Sequence, residues 1–503
     1  MSGRARAITE LYTRTFDALI VGGGITGAGI ARDAALRGLD VALVDKGDFA
    51  SGTSSRSSRL VHGGVRYLEH GHLHLVFEAS AERRRLLRLA PRLVRPLAFT
   101  WPVYAGQRLG RWKLSAGLTL YDMLSLFRNV ERHRRLDTTD VLRDEPCLER
   151  TGLRGGVRYY DAATDDARLT LANVLDARAL GAVPVNHVVM RSERLADGLH
   201  VASVEDALTG DRFEIRARAL VNAAGPWTDD VRAVEGWTAP GERIQGSKGS
   251  HIAVPRSRVG NRDAVTLLHP RDQRVLFVLP AGPFSIIGTT DTFTHVSADE
   301  VRASESDVSY LLQAANFAFP DARLDRDDVV SAWAGIRPLM PSGGSEGQAS
   351  REHAIDTRDR IVTITGGKLT TYRVMAREVV DAVDAALGRR RRRAQTASRP
   401  LPDDVPVAPA RGIDQPSGDL VEGLPYTRDH LRRAISDEMA CTLGDLLIRR
   451  THVAYETRDG GRAAARIVTP FVAPLLGWDA DRANRELMRY DVEVARIFTV
   501  DRG

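Results

Sequence analysis

Gly22, Gly24 and Gly27 follow an apolar run from Phe16 to Val21, and Asp45 lies 18 residues beyond the last of them. At this spacing each residue has a separate job. Gly22 permits a tight turn, Gly24 lets backbone approach a pyrophosphate, and Gly27 lets a helix pack closely on a strand. The helix that opens at Ile25 and Thr26 turns free N–H groups and the positive end of its dipole toward phosphates. Asp45, with Lys46 beside it, is placed to accept hydrogen bonds from a ribose. The chemistry is dinucleotide binding. A lone GxGxxG is weak evidence. Here a helical pattern runs to about Gly38 and a second apolar run, Val41 to Val44, ends at the acid, which completes a βαβ unit.

That unit does not choose between NAD and FAD, so the elements around it matter. Residues 51–67 read SGTSSRSSRLVHGGVRY. Such a run is either a flexible linker or a wrap of small donors around a cofactor. Two later segments point to a large FAD-type domain assembled from separated pieces. ALVNAAGPW (219–227) is an apolar strand running into small residues, and IVTITGGK (361–368) is a strand ending in a Gly-Gly turn. From Thr371 to Leu387 the apolar residues fall at helical spacing. Generic α/β strands with tight turns would read the same way. Residues 394–420, rich in Pro, Ala, Ser and Asp, read as a linker. The arginine run 389–393 before them reads as solvated. After about 421 the pattern is helical.

The chain has 503 residues, 43% hydrophobic and 27% charged, which excludes wholesale disorder, collagen and a polytopic membrane protein. Its length allows two to four domains. The two cysteines, Cys147 and Cys441, lack CxxC spacing, so neither a disulfide framework nor a zinc ribbon is expected. The polar N-terminus shows no secretory signal, and no run is apolar enough for a transmembrane helix. These features give the expectation of a reduced cytoplasmic setting. A net charge of +6 favours anionic partners. Four of the 71 basic residues are lysines (Lys46, Lys113, Lys248, Lys368) and the rest are arginine. Lysines kept against that bias draw attention, because Lys and Arg are not interchangeable at a tight site. His70, His72 and His74 have no carboxylate or cysteine pattern beside them, so no metal is expected.

VGGGITGAGIARDAALRGLDVALVDKGD, SSRSSRLVHGGVRYLEHG, DDARLTLAN, NAAGPW, KGSHI, FSIIGTTD, AGIRPL and GGKLTTYR occur in that order. Together they resemble the FAD-dependent, aerobic respiratory glycerol-3-phosphate dehydrogenases, from about residue 15 to 387 and again in the helical C-terminal region. The resemblance implies oxidation of sn-glycerol 3-phosphate to dihydroxyacetone phosphate. Hydride would pass to FAD and electrons to a membrane quinone, with the protein held peripherally at the inner face of the cytoplasmic membrane. It also implies an α/β fold: an FAD-binding Rossmann-like domain of the glutathione-reductase and D-amino-acid-oxidase type, an inserted antiparallel-sheet substrate domain, and a C-terminal helical domain. The expected divisions are 15–75, 150–240 and 330–388 for FAD, and 76–149 and 241–329 for the substrate or cap domain. A linker at 389–420 and the helical domain at 421–503 complete the chain. A homodimer is left open, and no nucleic acid is expected.

A phosphomonoester in a dry pocket needs several cationic or N–H donors. Matched to the family motifs, these are Arg66, Arg337 and Lys368, with Tyr67 and Thr370 as neutral donors. Oxidising the alcohol requires a base, for which histidine suits. The resemblance assigns His251 to the substrate pocket as base, with Arg337 able to polarise the hydroxyl, and sets His62 against the flavin. It extends the cofactor site to Thr53, Ser54, Ser55, Ser57, Leu60, Gly64, Ala224, Gly225, Trp227, Gly367, Lys368 and Leu369. Arg111 to Phe127 is either a membrane-interface segment or a buried core helix. The rival readings are a glycerol-3-phosphate oxidase using oxygen, an amine or amino-acid oxidase on the same fold, and a non-catalytic basic flavoprotein that binds nucleic acid or membrane. Basic clusters such as Arg83 to Arg85 permit the last.

Overall fold

The structure is a computed structural model that describes residues 3–64, 73–125, 129–236, 244–288, 290–339, 352–402 and 420–502. These residues form two mixed sheets, one of eight strands and one of ten. In the first, the strand Thr15–Val21 lies parallel to Val41–Val44 on one side and to Arg212–Asn222 on the other. Val183–Val185 and Ile361–Gly366 extend the parallel ladder outward. A parallel sheet needs both faces covered, and its strands therefore read as unbroken apolar runs. Val41–Val44 is buried at every position. The helices Ile25–Leu36, Asp166–Ala179 and Tyr372–Ala386 pack on it and on one another. Ala28, Ala31 and Ala34 keep the first helix close, and Val174, Met375 and Val379 fill the space between.

The second sheet runs Thr292–Thr294, Gln245–Pro255, Phe284–Gly288, Val275–Ala281, Ala264–Leu268, Val94–Tyr104, Leu153–Thr164, Leu60–Val61, with Ser331–Leu339 paired to Gln245–Pro255. Two of these strands come from stretches expected to belong with the cofactor-binding pieces. Leu153–Thr164 and Ser331–Leu339 fall within the pieces expected to bind the cofactor, yet their hydrogen bonds go to the second sheet. Local pattern marks a strand but not its partner, and Leu153–Thr164 runs directly on into the helix Asp166–Ala179 of the first layer. The two-residue strand Leu60–Val61 likewise carries the chain from the cofactor loop to the second sheet.

The stretch expected to be a linker also packs, as far as it is described. Arg389 pairs with Asp17, Arg391 pairs with Asp381, and Arg392 donates to the Arg37 carbonyl. Thr396 and Leu401 are buried. The arginine run is thus tied to the first layer by surface contacts while Arg390 to Arg393 stay exposed, as a solvated run would. The C-terminal helices Arg428–Ser436, Arg462–Leu476 and Ala480–Phe498 form the third part. It docks through a π-helical turn, Asp445–Arg450. Asp48 is fully buried and accepts from Arg449 Nε at 2.7 Å and Arg450 Nη1 at 2.6 Å. Arg168 meets Glu438 through two hydrogen bonds, and His452 meets Asp165 at 2.7 Å. Among the described residues, no helix is long and apolar enough to cross a membrane.

Candidate active site

A cavity of about 870 Å³ lies where the three parts meet. Its first wall is the glycine turn. Gly22 has φ +108°, and a Cβ there would stand 2.6 Å from the Ala223 carbonyl oxygen. A Cβ on Gly27 would stand 1.8 Å from the Gly22 carbonyl oxygen, so Gly27 serves the helix–strand approach and does not line the cavity. The Asp45 carboxylate accepts the N–H of Gly23 at 2.6 Å and of Gly47 at 2.8 Å. Burial raises its pKa from the ordinary value, against the lowering effect of those two N–H groups. Ser54 Oγ accepts from the Ile25 N–H at 2.9 Å, which ties the hydroxyl-rich loop to the helix N-terminus. The serine-rich run is therefore a folded wrap. Its Ser57 is fixed by Asp166, the second acid of DDARLTLAN, at 2.6 Å.

Gly22, Gly24, Ile25, Thr26, Asp45, Lys46, Thr53, Ser54, Ser57, Leu60, His62, Gly64, Ala224, Gly225, Trp227, Gly367, Lys368 and Leu369 all line the cavity. Ser55 does not. It is buried behind the loop, where its carbonyl accepts from the Tyr455 hydroxyl at 2.8 Å. Lys46 stands at the rim, 3.0 Å from Asp299 and over the Trp227 ring. Arg66 and Tyr67 lie outside the described residues.

The opposite wall is one face of the second sheet. Residues two apart on a strand share a face, so Gly249 and His251 face the same way. Arg337 comes from the neighbouring strand, and its guanidinium lies across Gly249, where a Cβ would stand 2.5 Å from Nη2. Nη1 donates to the Thr290 carbonyl at 3.2 Å and approaches Asp291 at 3.3 Å. The His251 ring stacks on Trp333 and lies against Gly288, where a Cβ would stand 2.2 Å from the ring. Its Nε2 is 2.8 Å from Ser58 Oγ, and its buried Nδ1 has no hydrogen-bond partner among the described residues. Burial first, then Arg337 and Arg59, lower its pKa to about 3. The ring is neutral at working pH. Lys368 follows Gly366 and Gly367, both at positive φ, which turn the chain so that it too lines the cavity.

Thr370, expected as a phosphate donor, does not line the cavity. Its hydroxyl accepts the His62 N–H at 3.1 Å and donates to the His62 carbonyl at 3.2 Å. Sequence reasoning also misses Ser58, Asp161, and the aromatic lining Phe99, Trp101, Tyr159 and Phe277. Ser58 lies in the loop just before Leu60, and the others come from strands whose alternation marks two faces without saying which one meets a ligand. Arg83, which reads in the sequence as part of a basic surface cluster, is 2% exposed and pairs with Asp161.

The cavity fits a dinucleotide on its donor chemistry. Trp227 Nε1 and Arg56 Nε, like His251 Nδ1, are buried polar atoms of cavity-lining residues with no partner among the described residues. Such groups are costly unless a ligand satisfies them. A ribose-type acid, a helix N-terminus and a neutral histidine beside an arginine along one cavity fit a dinucleotide-dependent oxidoreductase.

Residues 17–382 match the family described as FAD dependent oxidoreductase, and residues 403–483 match the C-terminal domain of alpha-glycerophosphate oxidase. A glycerol-3-phosphate dehydrogenase of Synechocystis is 34% identical over 96% of this chain and 97% of that protein. One of Mycobacterium leprae is 37% identical over 98% and 90%. The X-ray structure of the glycerol-3-phosphate dehydrogenase from Bacillus halodurans complexed with FAD superposes with a TM-score of 0.78 at 29% identity, covering 98% of this chain and 97% of that one. The chain belongs to the FAD-dependent glycerol-3-phosphate dehydrogenase family, and FAD is its cofactor.

Proposed function

We propose that the protein oxidises sn-glycerol 3-phosphate to dihydroxyacetone phosphate and passes the electrons to a membrane quinone. The observation that carries the substrate reading is that Arg337, Lys368 and a neutral His251 line one cavity, with Arg337 near enough to His251 to act on its charge. Bound FAD supplies the hydride acceptor. The protein's own groups do the rest. Arg337 and Lys368 offer the charges a phosphate needs once water is excluded. With Nε2–H donated to Ser58 Oγ, His251 carries a lone pair on Nδ1 and takes the hydroxyl proton there. Burial first, then Arg337 and Arg59, depress that basicity in the free protein, and an arriving phosphate offsets the arginines' share. Trp333 and Gly288 hold the ring in one plane, so its lone pair keeps one direction.

Peripheral membrane contact is part of the same reading. The helix Arg111–Leu124 buries Leu114, Leu118 and Tyr121 and leaves Trp112 and Met123 exposed, at 69% and 53%. One helix thus serves the core on one face and offers an apolar anchor on the other. Steady-state rates with a dye acceptor test the substrate. We expect kcat/KM for sn-glycerol 3-phosphate to exceed that for glycerol by about 10²–10⁴, since two charge-assisted contacts at roughly 1.5–3 kcal/mol each are lost with the phosphate. Equal use of glycerol or of an amino acid would refute the reading. Flotation with anionic vesicles, weakened by Trp112→Ser, tests the membrane contact.

A further inference from the structure

We infer that Asp161 and Thr370 are positioning residues that clamp the His62–Gly63 turn from its two sides and so fix where His62 stands in the cavity. This rests on the reading that flavin and substrate meet there. The chain enters the turn from the strand Leu60–Val61, which pairs with Ala162 and Ala163. That ladder ends at Val61, and the next two residues take their hydrogen bonds from side chains. On one side the Thr370 hydroxyl serves both polar backbone atoms of His62, accepting its N–H at 3.1 Å and donating to its carbonyl at 3.2 Å. On the other, Asp161 Oδ1 accepts the Gly63 N–H at 3.0 Å.

Each jaw is itself anchored. Asp161 Oδ1 also accepts from the Tyr121 hydroxyl at 2.8 Å and pairs with Arg83, which further donates to the Tyr160 carbonyl at 3.2 Å and to Asn129. Burial works against the charge on Arg83, but Tyr121 and Asp161 outweigh it, so the guanidinium is held charged. Thr370 is 2% exposed and sits in the single turn Leu369–Thr371, immediately after Lys368. The turn between the jaws has no slack. A Cβ on Gly63 would stand 2.2 Å from the Tyr121 hydroxyl oxygen and 2.6 Å from Ser80 Oγ. His62, Gly64, Asp161 and Lys368 line the cavity, whereas Thr370 reaches it only through His62. The clamp therefore registers three walls of the site against one another: the sheet, the histidine turn and the lysine turn.

The test uses the FAD-loaded full chain with Thr370→Val, Thr370→Ser, Asp161→Asn and the Thr370→Val/Asp161→Asn pair. Valine keeps the shape and removes the hydroxyl; serine restores it. A misplacement near 1 Å can cost about a hundredfold, so we expect Thr370→Val to lower kcat roughly tenfold with KM within about threefold. The visible circular dichroism of the flavin should change in the same variant, and Thr370→Ser should restore both. Asp161→Asn should lower kcat similarly and raise the flavin midpoint potential, because it leaves the Arg83 charge uncompensated. The pair should lose less than the product of the singles, since either one releases the turn. Three results would overturn the inference: Thr370→Val leaving kcat and dichroism unchanged, raising KM alone as a substrate contact would, or failing to be rescued by serine. If Asp161→Asn does not fold, the Thr370 series decides alone.

Discussion

Asp45, Gly47, Thr53 and Ser54 reach the dinucleotide end of the cavity from one short stretch, tied by its own backbone and by the N-terminus of the helix it faces. His251, Arg337 and Lys368 reach the other end from two strands and a turn spread over more than a hundred residues. The first end is made by local backbone geometry, and its specificity is in where a Cβ is forbidden. The second is made by cross-strand register, and its specificity is in which side chains a sheet face brings together. The cofactor end should thus fail as a unit and the reaction end residue by residue.

Four perturbations would break or sharpen that contrast. The largest is Gly27→Val. A Cβ 1.8 Å from the Gly22 oxygen cannot be relieved by a side-chain shift, so the cost exceeds the roughly 1–3 kcal/mol of ordinary overpacking. The purified protein should carry no flavin by visible absorbance. His251→Asn should do the opposite, retaining flavin while kcat falls by about 10²–10⁴; loss of flavin there would erase the distinction between the ends. Asp48→Ala probes what joins them, because its carboxylate binds the cofactor loop to Arg449 and Arg450. Leaving buried arginines without it should cost about 3–5 kcal/mol in denaturant unfolding and loosen flavin retention.

The smallest effect concerns pH. The His251 pKa falls on folding from the ordinary 6.5 to about 3. Below 6.5 the unfolded chain takes up a proton that the folded one refuses. Stability is therefore fully present above pH 6.5 and declines as pH falls toward 3. At about 1.4 kcal/mol per unit, the decline attributable to this residue is roughly 2 kcal/mol at pH 5. It should be absent from the His251→Asn variant, as read by unfolding at paired pH values.

The same contrast explains how much of the molecule is legible in its sequence. The GGGITG turn and Asp45 announce themselves, because each position in a tight local turn restricts residue type on its own. The serine-rich wrap is ambiguous in sequence, since its partners, Ile25 and Asp166, are 29 and 109 residues away. Asp161 does not stand out among 65 acidic residues, and its role depends on a buried arginine that looks like surface charge. That Leu153–Thr164 and Ser331–Leu339 pair into the second sheet is not legible in their pattern, because a segment's own residues do not name its neighbour. Gly249 and Gly288 do carry a usable signal. Glycines inside strands often mark a close approach, and these two clear the space for Arg337 and His251.

The most direct test is the visible absorption of the purified protein without oxygen, before and after sn-glycerol 3-phosphate. If the cavity joins FAD to this substrate, the flavin bands bleach with this compound and not with glycerol or amino acids. Bound flavin that stays oxidised with sn-glycerol 3-phosphate, or bleaches equally with glycerol, would contradict that claim.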